Sequence, residues 1–130
     1  MNLVVKKSRV GLGAFASSPF KGGETVVDWS DHPLFADPPW IPIGWKFIEI
    51  SPGIMTGPIG PENHPDAYIN HSCNPSARIL LQRPTILLVA LRDIEVDEEI
   101  TFDYATLYRK PWSMKCRCGD RNCRGTILGR

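Results

Sequence analysis

Along the chain, apolar residues gather in short runs and never hold a helical period for long. Leu3 to Val5, Thr25 to Trp29, Phe47 to Ile50, Ala77 to Leu81 and Ile86 to Leu91 are rich in aliphatic residues, with Gly, Pro, Asn or Asp in the stretches between them. Runs of that length and punctuation suit strands better than helices, so the pattern predicts a mostly β domain. Gln82-Arg83-Pro84 predicts a hairpin pairing 77–81 with 85–91, although the runs are too continuously apolar to say which face is buried. Residues 30–65 break the pattern. They carry eight prolines together with Trp40 and Trp45, which predicts an irregular insert with room for one short turn of helix.

At 130 residues the chain reads as one domain, able to bury about two-thirds of its unfolded surface. No leader-like start and no bilayer-length apolar stretch is present, so the expectation is a soluble intracellular protein, cytoplasmic or nuclear, without a membrane partner. A formal net charge of +1 argues against indiscriminate nucleic-acid binding, which makes nucleic acid an unfavoured direct ligand. The charge is nevertheless uneven. Asp93, Glu95, Asp97, Glu98, Glu99 and Asp103 face only Arg92 in one block, whereas Arg109, Lys110, Lys115, Arg117, Arg121, Arg124 and Arg130 face only Asp120 in the next. The blocks read either as two solvated faces that attract one another or as an acidic lip that receives a basic peptide.

All four cysteines fit one purpose. Cys116, Cys118 and Cys123 form a Cys-x-Cys-x4-Cys knuckle and Cys73 lies far upstream, which is the ligand count of a closed tetrahedral zinc site. Cys-x-Cys is too close for easy bridging, so disulfides are the weaker reading and a reducing compartment the stronger. The C-terminus is then expected to be pinned against residue 73.

Four separated segments carry a family resemblance: Gly11-Leu12-Gly13-Ala14-Phe15-Ala16, Tyr68-Ile69-Asn70-His71-Ser72-Cys73-Asn74-Pro75, Asp97-Glu98-Glu99-Ile100-Thr101-Phe102-Asp103-Tyr104, and Cys116 to Gly125. In order and approximate spacing the chain resembles a SET-domain protein lysine methyltransferase. The resemblance implies small curved β-sheets around a C-terminal pseudo-knot, with residues 1–110 as the SET domain, 29–65 as its variable insert and 111–130 as a post-SET tail carrying the four-cysteine zinc site. Threading of that kind is rare, yet it explains how residues 70 and 104 could share one site.

The same resemblance implies the chemistry. S-adenosylmethionine would lie against the backbone of Leu12 and Gly13, held by Tyr68, Asn70, His71 and Tyr104, with S-adenosylhomocysteine as the product. The substrate would be a protein lysine, a histone tail being one candidate, entering from the opposite face. Tyr104 is the expected catalytic residue, its hydroxyl orienting methyl and amine. Phe102 stands where the family sets the number of methyl groups added, which implies di- or trimethylation; as an apolar strand residue it also reads as ordinary core. Asp103 reads as an anchor and not as a base.

The chain departs from the family pattern at Ala67, where an Arg is common, at Ser76, where an Asn is usual, and in its short insert and lack of a pre-SET cysteine cluster. Peptide recognition is then minimal, loose or completed by a second copy of the chain in a homodimer. Two other classes stay open: a catalytically silent SET module that binds a basic peptide or partner, and a zinc-knuckle nucleic-acid binder, the latter weakened by the near-zero net charge and few aromatics in the tail.

Overall fold

The computed structural model describes residues 1–36, 46–59, 64–109 and 111–130, and only the backbone of Phe35; Trp40 and Trp45 of the insert lie outside the described residues. In chain order the strands are β1 (Leu3–Ser8), β2 (Gly11–Ala16), β3 (Thr25–Asp28), β4 (Leu34–Ala36), β5 (Ile48–Ser51), β6 (Ile54–Thr56), β7 (Asn70–His71), β8 (Ala77–Gln82), β9 (Thr85–Ala90), β10 (Thr101–Phe102), β11 (Ser113–Lys115) and β12 (Thr126–Leu128). Helical structure among the described residues is limited to single 3-10 turns at Pro65–Tyr68 and Tyr104–Thr106. The expectation of a mostly β domain is met, but the proline-rich segment is less irregular than expected: its described residues hold β4, β5 and β6, and the 3-10 turn at Pro65–Tyr68 only begins at its last residue. No helix among the described residues is long and apolar enough to cross a membrane.

The strands pair into small sheets in the orders β1-β2, β3-β9-β8, β4-β6-β5, β7-β10 and β11-β12. The expected hairpin is β8 against β9, in register from Ala77 opposite Ala90 to Gln82 opposite Thr85. Its main buried face, which the sequence left open, comes from Ile86, Leu88 and Ala90 of β9, and Val89 is buried on the other side. In β5 the alternation is plain: Ile48 and Ile50 point inward and Glu49 and Ser51 are half-buried. The two- and three-residue strands went unpredicted because so short a run carries no readable period.

Trp29, Phe102, Ile69, Leu88, Ile94, Ile100 and Leu107 form the centre of the core. Burying a large apolar side chain contributes roughly 1.5–3 kcal/mol, so these residues dominate the packing that holds the small sheets together. Trp29 meets Phe102 edge-on at 6.4 Å between ring centroids. Its indole N–H donates to buried Asp66 at 2.9 Å, tying β3 to the 3-10 turn that leads into β7.

The acidic block is largely committed within the chain. Lys6 pairs with Asp97 at 2.5 Å, Arg92 with Glu98, and Asp93 accepts the Gly22 N–H. Ile100 and Asp97 donate backbone N–H groups to Ala14 and Ala16, stitching this segment along β2. Between the two charge blocks, Arg124 reaches Asp103 at 2.7 Å, so mutual attraction of the blocks is realised at that point.

Candidate active site and metal centre

β7 and β10 run parallel, with Asn70 opposite Thr101 and His71 opposite Phe102. This pairing brings the Asn-His-Ser-Cys strip beside the Thr-Phe-Asp-Tyr strip. Ser76 reinforces it from a fully buried position: its Oγ donates to the Glu99 carbonyl and accepts the Thr101 N–H, while its own N–H donates to Thr101 Oγ1. A serine therefore satisfies every polar contact this position makes, which explains why the departure from asparagine is accommodated.

Tyr104 follows β10 at the start of a 3-10 turn capped by Asp103, whose carboxylate accepts the Ala105 N–H. That cap and the Arg124 pair make Asp103 an anchor, as expected. The Tyr104 N–H donates to His71 Nδ1 at 3.0 Å, and its hydroxyl donates to the Ile69 carbonyl at 2.5 Å. Its ring lies 5.1 Å from Phe102 and 5.4 Å from His71. Burial, with smaller contributions from Glu99 and Tyr108, raises the phenol's pKa, so the hydroxyl stays protonated and available as a donor.

Asn70 Nδ2 sits among Ser8 Oγ, the Leu12 carbonyl and Glu99 Oε2, at 3.3, 3.0 and 3.0 Å. Gly13 makes that junction possible: a Cβ there would lie 2.6 Å from Glu99 Oε2 and 3.1 Å from Asn70 Nδ2. Leu12 and Gly13 thus seat Asn70.

A cavity of about 780 Å³ opens beside this junction. Asn70, His71 and Tyr104 line it as the sequence led one to expect, but Leu12, Gly13 and Tyr68 are not in its lining. Instead Arg9 and Val10, from the β1–β2 turn, and Met114 to Cys118 and Ile127, from the tail, complete the wall. Sequence reasoning did not place these residues at the cavity, although it singled out Cys116 and Cys118 as candidate zinc ligands. The signal available was positional: Arg9 and Val10 immediately precede the Gly-x-Gly segment, and Met114 and Lys115 immediately precede the knuckle.

Three of the cysteine sulfurs lie in sequence-distant contact. Cys73 Sγ lies 3.6 Å from Cys116 Sγ, which lies 3.5 Å from Cys123 Sγ. Four thiolates about 2.3 Å from one zinc stand about 3.8 Å apart, so both spacings are close to those of a tetrahedral site. The ligand atoms of His71, Cys73, Cys116 and Cys118 also lie within 4.8 Å of one another. His71, however, accepts at Nδ1 from Tyr104, and burial lowers its pKa, outweighing the nearby carboxylates. A neutral ring with Nδ1 occupied carries its proton on Nε2, 3.3 Å from Cys73 Sγ, and donates to the sulfur.

The thiols are prepared unequally. Burial raises Cys116 to about 12. At Cys73 the effect of burial is outweighed by N–H donors from the Arg124 backbone and guanidinium, and the pKa falls. Backbone donation from Gly125, with help from the neighbouring thiols, lowers Cys123 to about 7. Ser72 donates to Asp120 at 2.5 Å and Asn122 to the Cys73 carbonyl at 3.1 Å, pinning the tail against residue 73. Gly119 allows the Arg9 guanidinium to pack on the knuckle, since a Cβ there would come within 2.4 Å of it.

Lys46, which the sequence did not single out, directs Nζ to the Ala67 carbonyl at 3.1 Å and lies 5.7 Å from the Tyr104 ring centroid. Burial lowers its pKa against the opposing influence of Asp66.

A small-sheet β architecture with these two strips side by side and a cysteine-bound tail across a cavity defines a SET-type domain. The family model of the SET domain matches residues 11–105, and the chain belongs to that family. It is 38% identical over 68 residues to the H3 lysine-4 specific histone-lysine N-methyltransferase of Emericella nidulans, and 39% over 64 residues to histone-lysine N-methyltransferase SETD1B of Homo sapiens. Each match takes in 46% of this chain but only 5% and 3% of those much longer proteins. Among solved structures the fold is similar to KRYPTONITE, crystallised with mCHH DNA, an H3(1-15) peptide and SAH, at a TM-score of 0.72 and 22% identity, covering 98% of this chain and 29% of that one.

Proposed function

We propose that the chain is an S-adenosylmethionine-dependent protein-lysine methyltransferase. The observation that carries this reading is the placement of the protonated Tyr104 hydroxyl on the Ile69 carbonyl, beside a cavity lined by Asn70 and His71. At about 780 Å³ the cavity is of a size usual for small-molecule sites. Arg9, Lys115 and Arg117 in its lining complement the carboxylate of a methionine moiety. Asn70 has its amide nitrogen committed within the chain, so its contribution to a ligand would come from Oδ1 and backbone. Bound there, S-adenosylmethionine would supply an electrophilic methyl on a sulfonium.

The protein's part is alignment and exclusion of water. The Tyr104 hydroxyl and the neighbouring carbonyls offer oxygen atoms to polarised C–H groups and orient an incoming amine. A lysine with pKa near 10.4 is neutral only about once in a thousand near pH 7.4, a cost of roughly 4 kcal/mol, which desolvation lowers without a dedicated base. Phe102 packs 5.1 Å from the Tyr104 ring; with no hydroxyl there to hold a water against a methylated amine, di- or trimethylation is the proposed outcome.

Cys73, Cys116, Cys118 and Cys123 would hold zinc as a structural ion. Because Met114 to Cys118 form part of the cavity wall, the ion would shape the cofactor site without joining the chemistry. Residues 1–110 then act as the SET domain and 111–130 as its zinc-bound tail. The relatives are named for histone lysines, so a basic histone-like tail is the substrate class proposed, in an intracellular and nuclear setting.

The test is twofold: a rise in melting temperature with S-adenosylhomocysteine, and transfer of labelled methyl from S-adenosylmethionine to lysines of a core histone mixture. Stabilisation without any transfer would return the chain to a silent binding module. Absence of both responses would overturn the reading altogether.

A further inference from the structure

Lys46 directs its amine to the ring of the proposed catalytic residue, Tyr104, from outside the residues that line the cavity. Its Nζ binds the Ala67 carbonyl, two residues from the Ile69 carbonyl that the Tyr104 hydroxyl binds, and it lies over the face of the Tyr104 ring. Amine and phenol therefore hold two carbonyls of the same short segment leading into Asn70. The bland role for a part-buried lysine is counter-ion to Asp66. Yet Nζ bonds a carbonyl, Lys46 forms no ion pair among the described residues, and Asp66 Oδ1 is left without a hydrogen-bond partner. The backbone after Lys46 is fixed, since the Phe47 N–H donates to the Tyr108 hydroxyl and the Glu49 N–H to the Leu107 carbonyl. The amine is thus delivered by a tethered strand, at no cost of bringing a second molecule.

Resting on the methyltransferase reading above, we propose that Lys46 is an internal methyl acceptor, modified by the chain's own active site in an intramolecular reaction. Nζ first releases a proton to solvent, for which burial and its lowered pKa prepare it. The nitrogen lone pair then forms an N–C bond to the methyl of S-adenosylmethionine as the C–S bond breaks. That electron pair goes to sulfur, leaving S-adenosylhomocysteine and a methylammonium at residue 46. Methylation keeps the charge but removes an N–H donor at each step, so the contact with Ala67 weakens as modification proceeds.

Two readouts test this on the full chain. The first needs no cofactor: proton NMR should show the Lys46 ε-methylene shifted upfield by the Tyr104 ring current, with the shift lost in Tyr104→Leu. Unshifted Lys46 resonances would overturn the placement on which the inference stands. The second is peptide mapping by mass spectrometry after incubation with labelled S-adenosylmethionine, with and without an added histone mixture. Label should appear on Lys46 ahead of Lys6, Lys7, Lys21 and Lys115, at a fractional rate unchanged by a roughly tenfold dilution of the chain, and should be absent from that site in Lys46→Arg. Label on histones but none on Lys46 overturns the inference and leaves the methyltransferase standing. Label on neither overturns both, and a rate that falls with dilution overturns the intramolecular route.

Discussion

The Tyr104 hydroxyl and the Ile69 carbonyl are joined by a 2.5 Å hydrogen bond across 35 residues of sequence. The bond aims the phenol along the segment that ends in Asn70, so the hydroxyl has both a fixed direction and a place in the core. Tyr104→Phe should keep the ring and its contacts with Phe102 and His71 while removing that direction. Loss of one preorganised hydrogen-bonding group predicts a fall in methyl transfer on the order of 10²-fold, and about 1 kcal/mol of stability goes with the bond. S-adenosylhomocysteine affinity by calorimetry should stay within a few fold. Unchanged turnover would remove Tyr104 from the chemistry.

Zinc should be present at one ion per chain, bound by Cys73, Cys116, Cys118 and Cys123, and elemental analysis of purified protein checks it. Apparent binding energies of such sites reach roughly 10–16 kcal/mol in peptides, so chelation should release the tail. Hydrogen exchange should then show lost protection beyond residue 111, including the Cys116 N–H that donates to the Gly125 carbonyl. Because Met114 to Cys118 line the cavity, S-adenosylhomocysteine should bind the chelated chain more weakly. Full protection after chelation would mean that the Ser72 bond to Asp120 and the Arg130 N–H bond to the Tyr108 carbonyl hold the tail unaided.

The convergence of these residues was legible for a chemical reason. Cysteine is scarce in this chain, so four of them in one knuckle-plus-distant-ligand arrangement pointed to a candidate ligand set. Asn70, His71 and Tyr104 stood in dense motifs whose separation only a folded crossover could close, and β7 against β10 closes it. The β8–β9 hairpin was legible from two apolar runs around a proline turn. Leu12 and Gly13 have a role the sequence did not suggest: they seat Asn70 through a carbonyl and a missing Cβ, while Arg9 and Val10 line the cavity. Which residue of a turn faces a cavity is set by tertiary packing and leaves no period in the sequence. The same holds for Lys46, an isolated lysine whose significance comes entirely from the carbonyl and ring it meets.

Trp29 and Asp66 make a buried pair whose removal should be costly on one side only. Trp29→Phe takes away the donor to Asp66 Oδ2 while Oδ1 already lacks one, leaving a buried carboxylate unsatisfied. A loss of about 1.5–3 kcal/mol is expected from urea midpoints, beyond the small change in apolar packing. Combining it with Asp66→Leu should recover part of that loss, because replacing both partners spares the desolvation of an orphaned charge. Equal destabilisation by the single and double variants would show that the indole's bulk, and not its hydrogen bond, is what matters.

Phe102→Tyr tests whether residue 102 borders the path of the amine. Phe102 is completely buried, 5.1 Å from Tyr104 and edge-on to Trp29, so an added hydroxyl has two fates. If the ring edge faces packed side chains, the extra oxygen overpacks the core and costs roughly 1–3 kcal/mol. If the edge faces the amine, the hydroxyl can hold a water where a methylated nitrogen must turn to present its lone pair. The first transfer then keeps its aligned geometry while the second and third lose theirs. The expected outcome is a near-normal melting temperature with product shifted toward monomethyl-lysine, read by mass spectrometry of a peptide substrate. A folded, active variant with an unchanged mono, di and tri distribution would make Phe102 a core residue and nothing more.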